Sequence, residues 1–192
     1  MPAQGVLQTK FTLKNSYYSR EVYSLMSKRR INLVAMIEGA LCVALAIVLT
    51  KLSFFTLPRG GSVDFELVPL ILFAYRRGPK LGILAGALTG IMKVLAGDFV
   101  LNPVQLVIDY PLAYGFVGIA AFLWLFLAAL GQLTSHIISG VIFFAQYAPE
   151  GWNPWFYSIA YNTPLIAVKY AISGVVAMLL WRVMQKTMPV GQ

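Results

Sequence analysis

The sequence predicts an all-α polytopic membrane protein with six transmembrane helices and with both termini in the cytoplasm. Of its 192 residues, 59% are hydrophobic and only 11% are charged, whereas soluble domains average about 25% charged residues. The basic residues cluster at the ends of apolar segments, where they determine membrane orientation. A net charge of +8 also occurs in nucleic-acid-binding proteins, but this distribution predicts a protein of the lipid bilayer with no nucleic-acid partner.

Six apolar segments account for the predicted helices. They span residues 31–51, 64–76, 79–97, 103–123, 127–147 and 160–184. The fourth and fifth segments are separated on the basis of length. About 45 nearly continuous apolar residues would make a helix more than twice as long as a bilayer requires, so a turn is predicted near residues 124–129. The expected organisation is a basic cytoplasmic segment of unknown role at 1–30, a six-helix domain at 31–186 and a tail at 187–192.

The orientation follows from the basic residues, which form three groups. They are Lys10, Lys14, Arg20, Lys28, Arg29 and Arg30 in the first group, Arg76, Arg77 and Lys80 in the second, and Arg182 and Lys186 in the third. An even number of spans places all three groups on one side, and the excess of Lys and Arg in cytoplasmic loops makes that side the cytoplasm. Residues 1–30 contain no apolar run of signal-peptide length, so no cleavage is expected.

Small residues at four-residue spacing form two stripes on the predicted helices. Gly82, Gly86 and Gly90 share a face of the third helix, and Ala40 and Ala44 share a face of the first. Such stripes let the backbone of another helix approach closely. The partner helix belongs either to the same chain or to a separate membrane subunit, and the spacing alone favours packing within the chain.

Asp109 lies early in the fourth helix, followed by Tyr110 and Pro111. An ionisable side chain at membrane depth costs ~3 kcal/mol on insertion scales, so it indicates a cavity or a partner. Pro111 removes one backbone donor and frees the carbonyl of Val107, which a membrane helix tolerates only where protein or water satisfies that carbonyl. The region around Asp109 is therefore expected to face inward.

The fifth and sixth helices carry further polar and aromatic groups. His136, Gly140 and Phe144 are spaced by four and share a face, which combines a hydrogen-bonding ring, a gap without a side chain and an aromatic plate. Gln132 precedes this stripe by one turn, and Tyr157 and Asn162 follow at the start of the sixth helix. With the assigned topology, Asp109, Phe144 and Asn162 lie toward the outer half of the membrane.

This set of side chains suits a flat, cationic, aromatic ligand, because a carboxylate offsets positive charge and aromatic faces attract cations. Each group also has a structural alternative. A membrane histidine such as His136 is often a satisfied structural residue, and Asp109 has possible ion-pair partners in Lys93 and Lys169. Aromatic residues in such a chain mostly face lipid or the core.

The sequence argues against catalysis by this chain. It contains no nucleophile and base pair with an orienting third group, and therefore no catalytic residues are assigned. No Cys/His cluster has the spacing of a metal site, so neither a metal nor a cofactor is expected. No GxxxxGK[ST] loop is present, so any use of ATP requires a partner.

Four motifs resemble the thiamine-specific S component of energy-coupling-factor (ECF) vitamin transporters, the ThiT (YuaJ) family. They are Arg76-Arg77-Gly78-Pro79-Lys80, Pro103-Val104-Gln105-Leu106 leading into Asp109-Tyr110-Pro111-Leu112-Ala113-Tyr114-Gly115, the run His136 to Phe144 closing on Tyr147-Ala148-Pro149-Glu150-Gly151, and Tyr157-Ser158 with Tyr161-Asn162. The resemblance covers roughly residues 33 to 185, with the motifs in family order. Residues 1–30 lie outside it.

The resemblance implies a multi-pass protein of the prokaryotic plasma membrane that captures extracellular thiamine. Its expected partners are a membrane-embedded T component and two cytoplasmic ATPases. The ligand-binding residues implied by the motifs are Asp109, Tyr110, His136, Tyr157 and Asn162, together with Phe144 and Gln132. For Ala40 and Ala44 the resemblance implies docking of the T component, and this interpretation displaces packing within the chain.

Two positions depart from the family pattern. Phe144 stands where a tryptophan commonly stacks on the ligand, and Gln132 stands where a basic residue can occur. Two other functions stay open: an S component for a different vitamin or a thiamine precursor, and a stand-alone channel or secondary transporter. No internal repeat supports the second.

Overall fold

The computed structural model describes residues 33–57, 61–120 and 125–187. The chain divides into two compact units at residues 1–38 and 39–192. Only residues 33–38 of the first unit are described, and the predicted segments at 1–30 and 188–192 lie outside the described residues. The cavity and every contact discussed below belong to the second unit.

Six helices make up almost all of the described chain, as predicted. They are α1 (Leu33–Thr50), α2 (Leu67–Arg77), α3 (Pro79–Leu95), α4 (Pro103–Ala120), α5 (Leu125–Phe143) and α6 (Pro154–Thr187). Helices α1, α4, α5 and α6 are long and apolar enough to cross a membrane on their own. The shorter α2 compensates by burial, because seven of its eleven residues are inaccessible.

Several helix ends differ from the prediction by two to six residues, and the starts of α5 and α6 have a clear local cause. Helix α5 begins at Leu125, so residues 125–129, which were expected to form a turn, are helical; that run of Leu, Phe and Ala contains no Gly or Pro to end a helix. Helix α6 begins six positions earlier than expected, because the Asn153 side chain accepts a hydrogen bond from Trp155 N at 2.8 Å and Pro154 occupies the first helical position.

A short hairpin joins α1 to α2. Strand β1 (Phe55–Thr56) pairs antiparallel with β2 (Ser62–Val63). Phe54 N donates to Val63 O at 2.9 Å, and Leu57 N donates to Gly61 O at 2.9 Å. The sequence indicated a loop here but not the strand pairing, which is only two residues long.

The glycine stripe of α3 packs within the chain, against α4. A Cβ atom on Gly86 would lie 2.1 Å from the Tyr114 carbonyl oxygen, and one on Gly90 would lie 2.4 Å from the Tyr110 carbonyl. Gly82 has a similar contact with Gly118 at 2.8 Å. The two backbones are therefore in direct contact, and larger residues would force α4 away from α3.

The small-residue patch of α1 has a different environment. Ala40 and Ala44 are exposed, whereas Gly39, Val43 and Ala46 on the other side of the helix are buried. Within the described chain, α1 therefore packs through the second set of residues. Ala40 and Ala44 are left on the surface.

Candidate ligand-binding site

A cavity of about 320 Å³ opens at the end of the bundle where α1 and α3 finish and α4 and α6 begin. This volume is at the lower end of the range of ~300–1,000 Å³ for small-molecule sites. All seven residues predicted to bind a ligand line it: Asp109, Tyr110, Gln132, His136, Phe144, Tyr157 and Asn162. The sequence therefore identified residues that the fold brings together, and their contact with a ligand stays a prediction.

Asp109 is held by three donors. Gln105 Nε2 donates to Oδ2 at 2.7 Å, and Ser139 Oγ donates to the same oxygen at 2.6 Å. His136 Nδ1 lies 3.0 Å from Oδ1, where an imidazole N–H donates to a carboxylate. The Asp109 side chain stays 13% exposed, so the carboxylate is fixed in position yet still reaches the cavity.

His136 has the hydrogen bond of the structural alternative and also remains accessible from the cavity. Its bond to Asp109 satisfies the ring structurally, while 21% of its side chain remains exposed and the residue lines the cavity. The alternative that Asp109 pairs with a lysine is wrong. Lys93 bonds Glu66 and Asp98, and Lys169 bonds Asp64 and Glu66.

A π-helical turn, Ile108–Leu112, presents Asp109 to the cavity. Pro111 lies inside this turn, where its missing N–H removes a regular helical hydrogen bond. Ser135 Oγ donates to the Ile108 carbonyl at 2.6 Å, so α5 satisfies a backbone group of the widened turn. The sequence predicted that protein would satisfy a freed carbonyl here, and the observed acceptor lies one residue beyond Val107.

The predicted gap at Gly140 is filled by the neighbouring helix. A Cβ atom there would lie 2.1 Å from Ser158 Oγ, so Gly140 lets α5 and α6 approach each other closely. Ser158 Oγ donates to Ile137 O at 3.0 Å, and Asn162 Nδ2 donates to Ser158 O at 2.9 Å. Gly140 thus positions Asn162 against α5 and does not leave an empty space.

Aromatic rings form two walls of the cavity. Phe144 lies beside Phe99 and Tyr147, with ring centroids 6.5 and 6.1 Å apart. Tyr157 and Tyr161 are 5.8 Å apart on α6. Phe99 was not predicted, because it lies in a loop where no helical period marks its direction. Its carbonyl accepts a hydrogen bond from Tyr110 Oη at 2.6 Å.

Gln132 is enclosed more completely than the other predicted residues. It is 1% exposed, and its Oε1 has no hydrogen-bond partner among the residues that the structure describes. An unsatisfied buried acceptor costs ~1–3 kcal/mol. The structure therefore does not explain why an amide occupies this position.

Charged residues form a second polar region beside the cavity, at the junction of α2, α3 and α6. Lys93 Nζ lies 2.9 Å from Glu66 and 3.2 Å from Asp98. Lys169 bonds Glu66 and also approaches Asp64 at 3.3 Å. We name Asp64, Glu66, Lys93, Asp98 and Lys169 the charged network. The sequence showed that Lys93 and Lys169 are ionisable residues within membrane spans. It did not show which carboxylates they pair with.

Tyr114 completes the charged network from α4, donating from Oη to Glu66 Oε1 at 2.5 Å. Lys93, Asp98 and Lys169 also line the cavity. Across the described ranges, no group of three His, Cys, Asp or Glu residues is placed to bind a metal ion. The site therefore offers a carboxylate, aromatic faces and fixed hydrogen-bonding groups.

The family described as Thiamine transporter protein (Thia_YuaJ) matches this chain over residues 36–125 and 121–189. The chain belongs to this family. It is 32% identical to thiamine transporter ThiT of Bacillus subtilis over 78% of this chain and 91% of that protein. It is 30% identical to thiamine transporter ThiT of Lacticaseibacillus paracasei, over 68% of this chain and 78% of that protein.

A solved structure of ThiT from Listeria monocytogenes has the same fold. It superposes with a TM-score of 0.72 at 25% sequence identity, covering 81% of this chain and 97% of that one. Family membership and the apolar helices together establish a multi-pass protein of the cell membrane. The family is one of transport, and this chain is not an enzyme.

Proposed function

We propose that this chain is a thiamine-binding S component of an ECF-type transporter, which captures extracellular thiamine for ATP-driven uptake. Thiamine is a cation with two flat aromatic rings that are joined by a methylene bridge. The cavity offers it the Asp109 carboxylate, the rings of Phe144 and Tyr157, and the amide of Asn162. The relatives named thiamine transporters support this choice of ligand.

The observation that carries the proposal is the setting of Asp109. It accepts from an amide, a hydroxyl and an imidazole, and among the described residues Lys93 and Lys169 pair with other carboxylates. A carboxylate that is held in place without a lysine partner has no fixed ammonium group beside it, so a cationic ligand can occupy that position. The adjacent aromatic rings add attraction of ~0.5–2 kcal/mol for a cation over a ring face.

A titration of the purified chain with thiamine in detergent tests directly whether the chain binds this ligand. We expect saturable binding of thiamine with one site per chain. A competition panel of thiamine, its phosphate esters, its pyrimidine precursor and unrelated vitamins distinguishes a thiamine site from a site for another vitamin. A panel in which another vitamin displaces thiamine with higher affinity would overturn the assignment.

Transport is assigned to a complex of this chain with a T component and two ATPases. Two features support this assignment: the sequence contains no nucleotide-binding loop, and α1 presents the exposed small residues Ala40 and Ala44. Small residues on a lipid-facing helix allow a second helix to pack closely. In vesicles, uptake should require the T component, the ATPases and ATP. Uptake by the chain alone under an ion gradient would instead indicate a secondary transporter.

The docking surface is tested by Ala40→Trp and Ala44→Trp. Each adds bulk to an exposed face of α1 and should prevent capture of the T component in a pull-down. Thiamine binding by the isolated chain should be preserved, because neither residue lines the cavity. The matched control is Leu41→Trp on the neighbouring exposed position. Loss of ligand binding with an intact complex would show that the patch serves internal packing.

A further inference from the structure

The charged network is not electrically balanced. Three carboxylates, Asp64, Glu66 and Asp98, face two ammonium groups, Lys93 and Lys169. Glu66 lies between the two lysines, while Asp64 contacts only Lys169 and Asp98 contacts only Lys93 among the ion pairs of the described residues. The network therefore carries one excess negative charge.

Burial determines where this excess charge is accessible. Asp64 and Glu66 are 1% and 0% exposed, and neither lines the cavity. The Asp98 side chain is 35% exposed and lines the cavity. Asp98 is therefore the carboxylate through which the network presents its excess negative charge to a bound molecule.

Backbone and side-chain contacts fix Asp98 in place. It follows Gly97, which has a φ of 98°, and its N–H donates to the Lys93 carbonyl at 3.1 Å. Lys93 Nζ binds its carboxylate, so the same residue holds both the backbone and the side chain of Asp98. The following residue, Phe99, is bonded through its carbonyl to Tyr110.

Tyr110 connects Asp98 to the main site. It follows Asp109 directly in the chain, its Oη donates to the carbonyl of Phe99, the residue after Asp98, and both carboxylates line the same cavity as Tyr110. A cation bound against the Tyr110 side of the cavity is therefore near two carboxylates. Lys51 also lines the cavity, but it is exposed whereas Asp98 is partly buried, so solvent screens the charge of Lys51 more strongly than that of Asp98.

We propose that Asp98 is a second anionic specificity residue of the ligand site and acts on the positive ring of the ligand together with Asp109. This inference rests on the proposed function, because it assumes a cationic ligand. Asp98 then favours a ligand with a positively charged ring over a neutral ligand of the same shape. Its contribution depends on the ring charge and not on a particular hydrogen bond. Lys93 is the positioning residue that holds Asp98 toward the cavity.

The test compares two ligands of matched shape: thiamine, and an analogue in which a neutral thiophene ring replaces the thiazolium. We expect Asp98→Asn to weaken thiamine binding roughly tenfold and to change binding of the neutral analogue less than about twofold. Asp98→Glu, which keeps the charge, should largely restore thiamine affinity. Glu150→Gln is the matched control, because Glu150 is exposed and outside the cavity lining.

The outcomes separate this inference from the proposed function. Equal losses for both ligands in Asp98→Asn would mean that the residue supports the loop and does not sense charge. Unchanged thiamine affinity would mean that the excess charge does not act on the ligand, and either result overturns the inference. A wild-type chain that binds no thiamine in the same titration would overturn the proposed function itself.

Discussion

Asp109→Asn should weaken thiamine binding by roughly 1.5–3 kcal/mol, the range for hydrogen bonds to charged groups, or about ten- to more than a hundredfold in the dissociation constant. The substitution keeps the shape of the side chain and removes its charge. The wild-type carboxylate accepts from Gln105 and Ser139 through Oδ2 and from His136 through Oδ1. An asparagine oxygen placed at the Oδ2 position preserves the first two bonds.

The third bond of Asp109 determines whether the variant still folds. The asparagine Nδ2 would then face His136 Nδ1, and both atoms would be donors. The neutral imidazole resolves this by moving its proton to Nε2, so that Nδ1 accepts. The Asp109→Asn substitution is therefore expected to leave the unfolding temperature nearly unchanged. Asp109→Ala, in contrast, would leave the donors of Gln105, Ser139 and His136 without their acceptor.

The assay for Asp109→Asn is calorimetric titration with thiamine in detergent, with thermal unfolding measured on the same preparation. Ser139→Ala is a useful comparison, because it removes one donor to Asp109 and keeps the carboxylate charge. We expect its loss of affinity to be smaller than that of Asp109→Asn. An unchanged dissociation constant in Asp109→Asn would assign the residue to structure and refute the argument from charge.

Three further variants test other parts of the site. Phe144→Ala should weaken thiamine binding in the same titration. Phe144→Trp should preserve or improve binding, because the larger ring offers a stronger cation–π contact. Loss of binding in a folded Phe144→Trp variant would exclude stacking of this residue on the ligand. Gly90→Ala should cost ~1–3 kcal/mol of stability in thermal unfolding, because its Cβ would lie 2.4 Å from the Tyr110 carbonyl, and a stability equal to wild type would contradict that close contact. Lys169→Met should destabilise the fold by ~3–5 kcal/mol by leaving buried carboxylates without their ammonium partner, whereas the exposed Lys186→Met control should change stability by less than ~0.5 kcal/mol.

The sequence predicted the six helices of the described chain and seven of the residues that line the cavity, because both follow from local patterns. Apolar length determines the spans, and four-residue spacing placed His136 and Phe144 on one face of the predicted fifth helix, although α5 ends at Phe143, one residue before Phe144. Pro111 marked the position where α4 would depart from regular geometry. The π turn itself was not predicted, because several distortions satisfy a proline in a helix.

The ion pairs of the charged network could not be predicted from the sequence, for a different reason. Lys169 pairs with Asp64 across 105 positions of the chain, and several acidic residues were available to the two lysines without any local rule to match them. The sequence therefore allowed Asp109 to pair with Lys93 or Lys169. The fold assigns these lysines to other carboxylates because the turn that leads into α2 brings Asp64 and Glu66 to Lys93 of α3 and Lys169 of α6.

The carboxylates of the charged network are separate from Asp109. This separation explains how one small bundle contains both charges that stabilise the fold and a charge that is available to a ligand. At Glu66 two ammonium groups and the Tyr114 hydroxyl converge on a fully buried carboxylate, so its charge is used within the fold. At Asp109 the donors are an amide, a hydroxyl and an imidazole, which hold the carboxylate in position without a lysine. Moving one ammonium group from Glu66 to Asp109 would both leave a buried carboxylate less compensated and cancel the attraction for a cation. The binding site therefore depends on the charged network, because the network keeps Lys93 and Lys169 paired away from Asp109.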